Sequence, residues 1–572
     1  MKTVIIKILA VSAAVLSALS ACSKFDDMSR NPYALYDVPS ESFVQPILYN
    51  SEYKILQRCY DLIPELMQYS VNMSFETSAT LIYNYDISEN ISSSLWSLYE
   101  EFGNAQYMLK LARGEDNPAM EGVALVLRTW LMSVITDTYG NVPYFNAGLI
   151  SQQGEGFSYK TTYDSQEEIY RDMFISFETA NRRFMEAEEA VTDGLIDGDD
   201  FSRQCDYMYS GDAAKWRRFG NSLYLRLLMR SAMKIIEETG GNFMLNDELG
   251  EINVISRISE IYDSFSGNGQ YPVFGEIADA ARVGFSYSNS ALFTPFYSTT
   301  SGVWNAEAAC RTLVKTMMGD DFEDPRYFYY FHKYSNAKKD FSANPNLVAL
   351  GVDDCAGAPT QLSRSDMSYF FSVATSMAGN SSIGRYPRKS TSSWHIGDLK
   401  NAESYAILNY SEVLFCFAEA AARGWLTMSG QKTKELYLEA VRTSVLEWNK
   451  TLVSTSAELT GFIDHLDGSY DPNNALEYIM SQKWVSTFWC GTEAWCDYRR
   501  TGYPLLKTNG EAAENGCVLP TRMRYPATED FYNAEQYAKA VAGWLGGTNN
   551  MTTDLWWAST AESRANRAKG RN

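Results

Sequence analysis

The sequence predicts a predominantly all-α chain of paired helices carrying a turn-rich, irregular middle. Three observations predict it. Apolar residues recur at helical spacing towards both ends of the 572 residues. Helix-opening and helix-closing residues flank those runs. Residues 240–400 are instead rich in Gly, Ser, Asn and Tyr, with short runs and frequent turns.

In chain order, Leu95, Leu98, Tyr99, Phe102, Ala105 and Leu109 form one helical face. Leu127, Trp130, Val134 and Ile135 form the next, which Gly140 stops after Tyr139, with Pro143 following. Ser165 with Glu168 reads as a capping box, opening a long helix marked by Ile169, Met173, Phe177, Ala180 and Phe184. Trp216, Phe219, Leu223, Leu227 and Met233 mark another. Helical signals return over Tyr405–Arg423, closed by Gly424. Asp471 as N-cap and Pro472 at the first helical position open a helix with Ile479 and Met480 on its apolar side. Residues after Trp557 are small, polar and basic and read as a frayed tail. Short connections suggest stacked helical hairpins, although no self-similar 34-residue period is present.

The N-terminus pairs Lys2 and Lys7 with an apolar run from Ile8 to Leu19, then Ser20, Ala21 and Cys22. That is the make-up of a secretory signal, and the run is shorter than the ~20 residues a membrane span needs. The Cys at the cut resembles a bacterial lipoprotein signal, in which Cys22 becomes the acylated first residue. Asp26 and Asp27 close behind it resemble the surface-export signal of the Bacteroidetes. No later stretch approaches an 18-residue apolar run, so a lipid-tethered soluble body is expected.

Net charge is −21, which disfavours nucleic acid and anionic membrane surfaces as partners. Aromatic residues make up 14%, with 38 Tyr, a side chain suited to cores and to wet binding surfaces. Apart from Cys22 there are eight cysteines without CxxC spacing, so a zinc site is not expected. Disulfides are permitted outside the cytoplasm but cannot be paired from sequence, and Cys416 reads as a small buried hydrophobe.

Catalytic signatures are missing: no P-loop, no GxSxG elbow and no HExxH. His332, His395 and His465 read as structural or solvent-facing. Seventy carboxylates guarantee accidental pairs, and none is singled out as a glycosidase dyad. Glu412 and Glu419 lie seven apart on one face of an apolar helix, where each should bond a partner Arg or backbone donor.

Several strings resemble the SusD/RagB family of outer-membrane nutrient-binding lipoproteins. They are Asp137-Thr138-Tyr139-Gly140-Asn141-Val142-Pro143-Tyr144; Tyr163 to Tyr170; Tyr209-Ser210-Gly211-Asp212 with Lys215-Trp216; and Asp324-Pro325-Arg326. Glu412, Glu419 and Gly424-Trp425 follow. The most specific runs through Gln482-Lys483-Trp484, Glu493-Ala494-Trp495 and Asp497 to Pro504; Arg524-Tyr525-Pro526 and Leu555-Trp556-Trp557 complete the order.

The resemblance implies a tetratricopeptide-like helical scaffold, lipid attachment to the outer membrane facing outward, and a SusC-like TonB-dependent β-barrel partner over which the protein acts as a lid. It implies an oligosaccharide ligand, or a peptide for some members, and no catalysis; apart from the resemblance, the sequence points to no cofactor and no metal ligands. A lipid-anchored glycosidase is the alternative from another class. The expected organisation is a signal peptide (1–21), a lipid-linked segment (22–50), an N-terminal helical scaffold (51–240), a ligand-binding elaboration (241–400), a C-terminal helical scaffold (401–557) and a tail (558–572), as one unit.

The family's ligand residues follow no fixed motif, so the site is sought in aromatic stretches outside the scaffold motifs. Lys215, Trp216, Trp484, Trp495 and Arg499 should be packing, caps and buried ion pairs. A neutral sugar needs aromatic faces and a few amides or carboxylates. Tyr83, Asn84 and Tyr85 sit in an Asn-rich loop before Trp96; Tyr287, Trp304 and Asn305 sit in the turn-rich middle. Trp96 lies near an apolar helix face and is kept because family members use aromatics near this region. Phe285, Phe296, Tyr297, Tyr327, Tyr329, Tyr330 and Trp394 are further candidates.

Overall fold

In the computed structural model, residues 38–72, 81–149, 160–193, 204–267, 269–285, 295, 307–319, 321–331, 339–360, 362–375, 404–506 and 518–570 are described. The scaffold helices are α1 (Val44–Asp61), α2 (Tyr99–Gly114), α3 (Pro118–Tyr139), α4 (Gln166–Thr192), α5 (Ala213–Thr239), α6 (Val254–Ser266), α7 (Tyr410–Ala422), α8 (Gly430–Trp448), α9 (Ala457–Ser469), α10 (Ala475–Ser486) and α11 (Glu493–Thr501). Behind them come α12 (Ala527–Tyr532), α13 (Ala534–Gly543) and α14 (Ala561–Lys569). Consecutive helices pack against one another from α2 to α5 and from α7 to α9, and α5 also meets α7, which joins the two halves.

Helix α3 begins with Asn117 as N-cap, its side chain accepting from the Met120 amide at 3.0 Å, and Pro118 at N1. It is the one described helix apolar and long enough to cross a membrane, yet its most apolar window is entirely buried inside the protein. It is interrupted by Glu121, Arg128 and Asp137 and is a core helix of the protein. Gly140 ends α3 at φ +89°, where an added Cβ would overlap the Trp544 ring. The capping box of Ser165 and Glu168 opens α4 as expected.

Two expectations are corrected. Tyr405–Arg423 is not one helix: Ser404–Leu408 is a strand, paired antiparallel with Ala281–Gly284, and Asn409 turns the chain into α7. The run Tyr-Ala-Ile-Leu is apolar enough for either state, and the partner strand decides it. The tail is not frayed either. Thr560 caps α14, its side chain accepting from the Ser563 amide at 3.2 Å, and Asn566 and Arg567 are buried where α14 packs on α11. Helix α1, largely buried along one face, begins ahead of position 51.

Buried charge pairs fasten helices distant in sequence. Glu412 accepts two bonds from Arg226 (2.7 and 2.6 Å), and Glu419 accepts two from Arg500 (both 2.6 Å) and one from Arg423 (2.8 Å). Lys483 lies 3.0 Å from Asp497. Arg499, fully buried, is sandwiched between Trp495 (3.6 Å) and Trp557 (4.9 Å). Trp216, Trp484 and Trp495 are core residues, as the sequence implied. Cys59, Cys310, Cys355, Cys416, Cys490 and Cys496 are buried thiols. A smaller apolar cluster around Phe341 and Phe370, stacked at 5.5 Å, sits beside the strand pair Ser70–Asn72 and Glu307–Ala309.

Candidate functional site

Segments far apart in sequence converge on Trp96. Its ring lies 5.0 Å from Tyr99, 5.1 Å edge-on from Tyr139, 5.8 Å edge-on from Tyr525 and 6.4 Å from Tyr163. Its amide donates to the Tyr139 hydroxyl at 3.1 Å, and that hydroxyl donates to the Ser92 carbonyl at 2.9 Å. Trp96 is held at its back and remains partly exposed in front.

The surroundings are built from the same strings that carry the family resemblance. Asp164 accepts from the amides of Tyr144 and Phe145, both at 2.9 Å, and so fixes the turn after Pro143. Burial pushes its carboxyl up, and those two donors partly offset the shift. Tyr99 donates to the Pro143 carbonyl at 2.6 Å. Asp137 accepts from Tyr170 (2.6 Å), Trp557 (2.8 Å) and Arg230, which locks the end of α3 under the site. Arg522 donates to the Tyr139 carbonyl at 3.1 Å and stacks on Tyr525 at 4.4 Å.

In front of Trp96 a cleft of 220 Å³ opens, lined by Trp96, Tyr99, Asn146, Glu529, Tyr532 and Asn533 among others. Helix α12 supplies one wall. It follows Arg524-Tyr525-Pro526 and leaves Phe531 81% and Tyr532 73% exposed. Glu529 accepts from the Tyr163 hydroxyl at 2.8 Å, and burial with that carboxylate pushes the Tyr163 phenol up. Partly exposed rings beside a carboxylate and amides can bind a ligand with apolar faces and polar edges.

Of the sequence candidates among the described residues, Trp96 alone lines this cleft. Tyr83, Asn84 and Tyr85 are 1%, 0% and 3% exposed, so the loop expected before Trp96 packs inward. Asn84 donates to the Leu362 carbonyl at 3.0 Å, and Tyr85 accepts from Gln68 at 3.3 Å. Leu81 and Ile82, also buried, draw that segment into the core. Phe285, Tyr327 and Tyr330 are likewise core, and Tyr329 donates to Asn449. His465 stacks on Phe322 at 4.3 Å. Cys22, Tyr287, Phe296, Tyr297, Trp304, Asn305, His332, Trp394 and His395 lie outside the described residues. Sequence reasoning did not single out Tyr532, Asn533 or Glu529; the aromatic pair Phe531-Tyr532 in an otherwise polar stretch was a signal for Tyr532 alone.

A second cavity, 410 Å³, lies between Gln68, Arg311, Thr312, Lys315, Leu350 and Thr360. Arg311 there lies against Asp354, and Thr312 donates to Gln68 at 2.6 Å. Among the described residues no cluster of three or more His, Cys, Asp or Glu could hold a metal.

A family model described as SusD-like, starch-binding and associating with the outer membrane, matches residues 32–526. The chain belongs to the SusD-like family. That family is one of nutrient-binding proteins rather than enzymes, and it points to the outer membrane. Solved structures share the fold of this SusD-like chain. A chitin-binding SusD homologue of Flavobacterium johnsoniae is 19% identical with TM-score 0.65, covering 92% of this chain and 99% of its own. A SusD homologue of Bacteroides uniformis is 20% identical with TM-score 0.65, covering 92% and 100%. Another structure, described as a chitin-binding protein, is 21% identical with TM-score 0.66, covering 91% and 99%. No curated protein sequence matches the chain significantly.

Proposed function

We propose that this SusD-like protein captures oligosaccharides at the cell surface and delivers them to a SusC-like TonB-dependent barrel, tethered by a lipid on Cys22. The observation that carries the saccharide reading is the Trp96 cleft. It presents Trp96, Tyr99 and Tyr532 beside Asn146, Asn533 and Glu529, and pyranose rings offer C–H faces to aromatics and hydroxyls to amides and carboxylates. Its volume lies below the ~300–1,000 Å³ of a site enclosing a whole drug-sized ligand. The cleft therefore holds part of a chain, the remainder passing over Tyr532 and Phe531. The family's description and the chitin-binding neighbours support a glycan over a peptide. Tyr287, Trp304 and Asn305 remain proposed contacts from the middle region, and Tyr83, Asn84 and Tyr85 would act only through packing.

Native gel electrophoresis of the mature protein in a series of embedded polysaccharides tests this reading. Retarded migration in at least one, lost on Trp96→Ala, is expected. Unretarded migration throughout the series overturns it. Delivery is tested by pulling the protein from solubilised outer membranes: a co-purifying barrel is expected, and its absence would leave capture without the proposed route.

A further inference from the structure

We infer that the second cavity, the one between Gln68 and Lys315, is a binding site for a small organic carboxylate. Its lining shares no residue with that of the Trp96 cleft, so it stands apart from the saccharide reading.

The cavity is assembled from segments distant in sequence. The helix Arg311–Met317 turns one face to it: Arg311, Thr312, Lys315 and Thr316, at i, i+1, i+4 and i+5, all line it. Gln68 extends that polar wall, and Leu350, Val352 and Leu505 supply an aliphatic one. Gln68 has φ +57°, a left-handed backbone that a residue with a Cβ keeps only where its surroundings hold it. Both ends of its amide are held: Nε2 donates to the Tyr85 hydroxyl at 3.3 Å, and Oε1 accepts from Thr312 at 2.6 Å. At 410 Å³ the space falls within the ~300–1,000 Å³ of small-molecule sites.

Charge selects the ligand. In a chain of net charge −21, the charged residues lining this cavity are Arg311 and Lys315, and among the described residues no Asp or Glu lines it. Arg311 is paired with Asp354 and lies 3.6 Å from Asp353, so much of its charge is balanced. Lys339 is close by, its amide donating to the Asp353 carbonyl at 2.9 Å. Burial pushes the Cys355 thiol up, and Lys339 and Arg311 partly oppose the shift, which puts both cations near one point. Arg311, Lys315 and Lys339 thus outnumber Asp353 and Asp354. Glu65, three residues before Gln68, is buried and accepts from the Asn72 amide at 3.3 Å; burial pushes its carboxyl up, which weakens its charge. Lys315 is exposed, and its ammonium has three donors, more than a single partner uses. A ligand carboxylate would meet that ammonium beside the Thr316 hydroxyl. Among the described residues no aromatic ring lines the cavity, so the aliphatic wall, rather than stacking, covers the ligand's carbon skeleton.

Calorimetric titration of the mature protein at one low ionic strength tests the inference with two matched pairs: N-acetyl-leucine against N-acetyl-leucinamide, and galacturonate against galactose. At least one carboxylate should bind at least tenfold more tightly than its uncharged counterpart. The pair that shows the difference names the source of the group, an amino-acid chain or a sugar. Lys315→Gln should weaken that carboxylate at least fivefold with an unchanged melting temperature, and Lys315→Arg should restore most of the loss. Neither carboxylate binding, neither exceeding its uncharged counterpart, or an unchanged affinity in Lys315→Gln overturns the inference. Retardation in polysaccharide gels should be the same in Lys315→Gln as in the unaltered protein, so the Trp96 cleft is judged separately.

Discussion

The amide of Trp96 donates to the hydroxyl of Tyr139 at 3.1 Å while the two rings meet edge to face at 5.1 Å. One residue of the strings that carry the family resemblance thereby positions one residue of the proposed ligand surface. Scaffold and site are joined there, which shapes what substitutions should do.

Trp96→Phe keeps an apolar ring in that pocket but shrinks the face offered to the cleft. Saccharide affinity should fall about tenfold, with the melting temperature nearly kept, because the amide bond to Tyr139 is a backbone bond. Tyr139→Phe instead takes the hydroxyl donor from the Ser92 carbonyl, while the Trp96 amide keeps the Ser93 carbonyl, and should lower stability by about 1–3 kcal/mol. Calorimetry and denaturant titration read the two apart.

Arg500 bridges Glu419 and Asp497 inside the protein, at 2.6 and 2.7 Å. Arg500→Met leaves buried carboxylates short of a partner and should cost about 3–5 kcal/mol. Adding Glu419→Leu should recover part of it. Urea unfolding of the two single variants and the double variant measures the coupling.

Buried carboxyls set a pH window. Burial pushes Glu52 up to about 8, with Arg226 and Arg282 only partly opposing. The folded state then holds a proton that the unfolded state has released above about 4.5, so stability falls as pH rises from about 4.5 to about 8. Glu52→Gln should match the wild type near pH 4.5 and exceed it increasingly towards pH 8. Glu419 behaves oppositely: burial raises its carboxyl, but Arg500 and Arg423 overcome this and hold it at about 2. Its contribution is present above about 4.5 and lost as pH falls towards 2. Chemical denaturation from pH 3 to 8 checks both signs.

Gly140 has φ +89° and faces Trp544 and Leu555. Gly140→Ala combines a left-handed backbone with an overlapping Cβ, so a loss of at least about 1–3 kcal/mol is expected. Gly240, also at positive φ but with nothing within 4 Å of a Cβ, should lose less as Ala. Thermal melts of the two variants compare strain with strain plus overlap.

Much of the scaffold was legible because its signals are local. Ser165 and Glu168 cap α4 within four residues, and Gly140 ends α3 where the sequence put the stop. Ser404–Leu408 was not legible, since its state is decided by Ala281–Gly284, more than a hundred residues away. The same holds for α14, whose polar sequence is ordered by docking on α11. At the proposed site, Trp96 came from the family resemblance, its sequence neighbours Leu95, Leu98 and Tyr99 arguing for a helix face. Asn533 and Glu529 could not be read from sequence, because what places them beside Trp96 is Thr161 and Tyr163, brought near only by the fold. Tyr83 and Tyr85 lie inside because burial of Leu81 and Ile82 carries the whole segment inward, which the Asn-rich sequence does not show.

The measurement that tests the central claim most directly is calorimetric titration of the mature protein and of Tyr532→Ala with the polysaccharide fragment found to retard it. Tyr532 is 73% exposed, so its loss should leave folding intact. The cleft reading predicts at least a tenfold loss of affinity with an unchanged melting temperature. Unchanged affinity in Tyr532→Ala, with Trp96→Phe also binding normally, would contradict it and place the saccharide elsewhere on the protein.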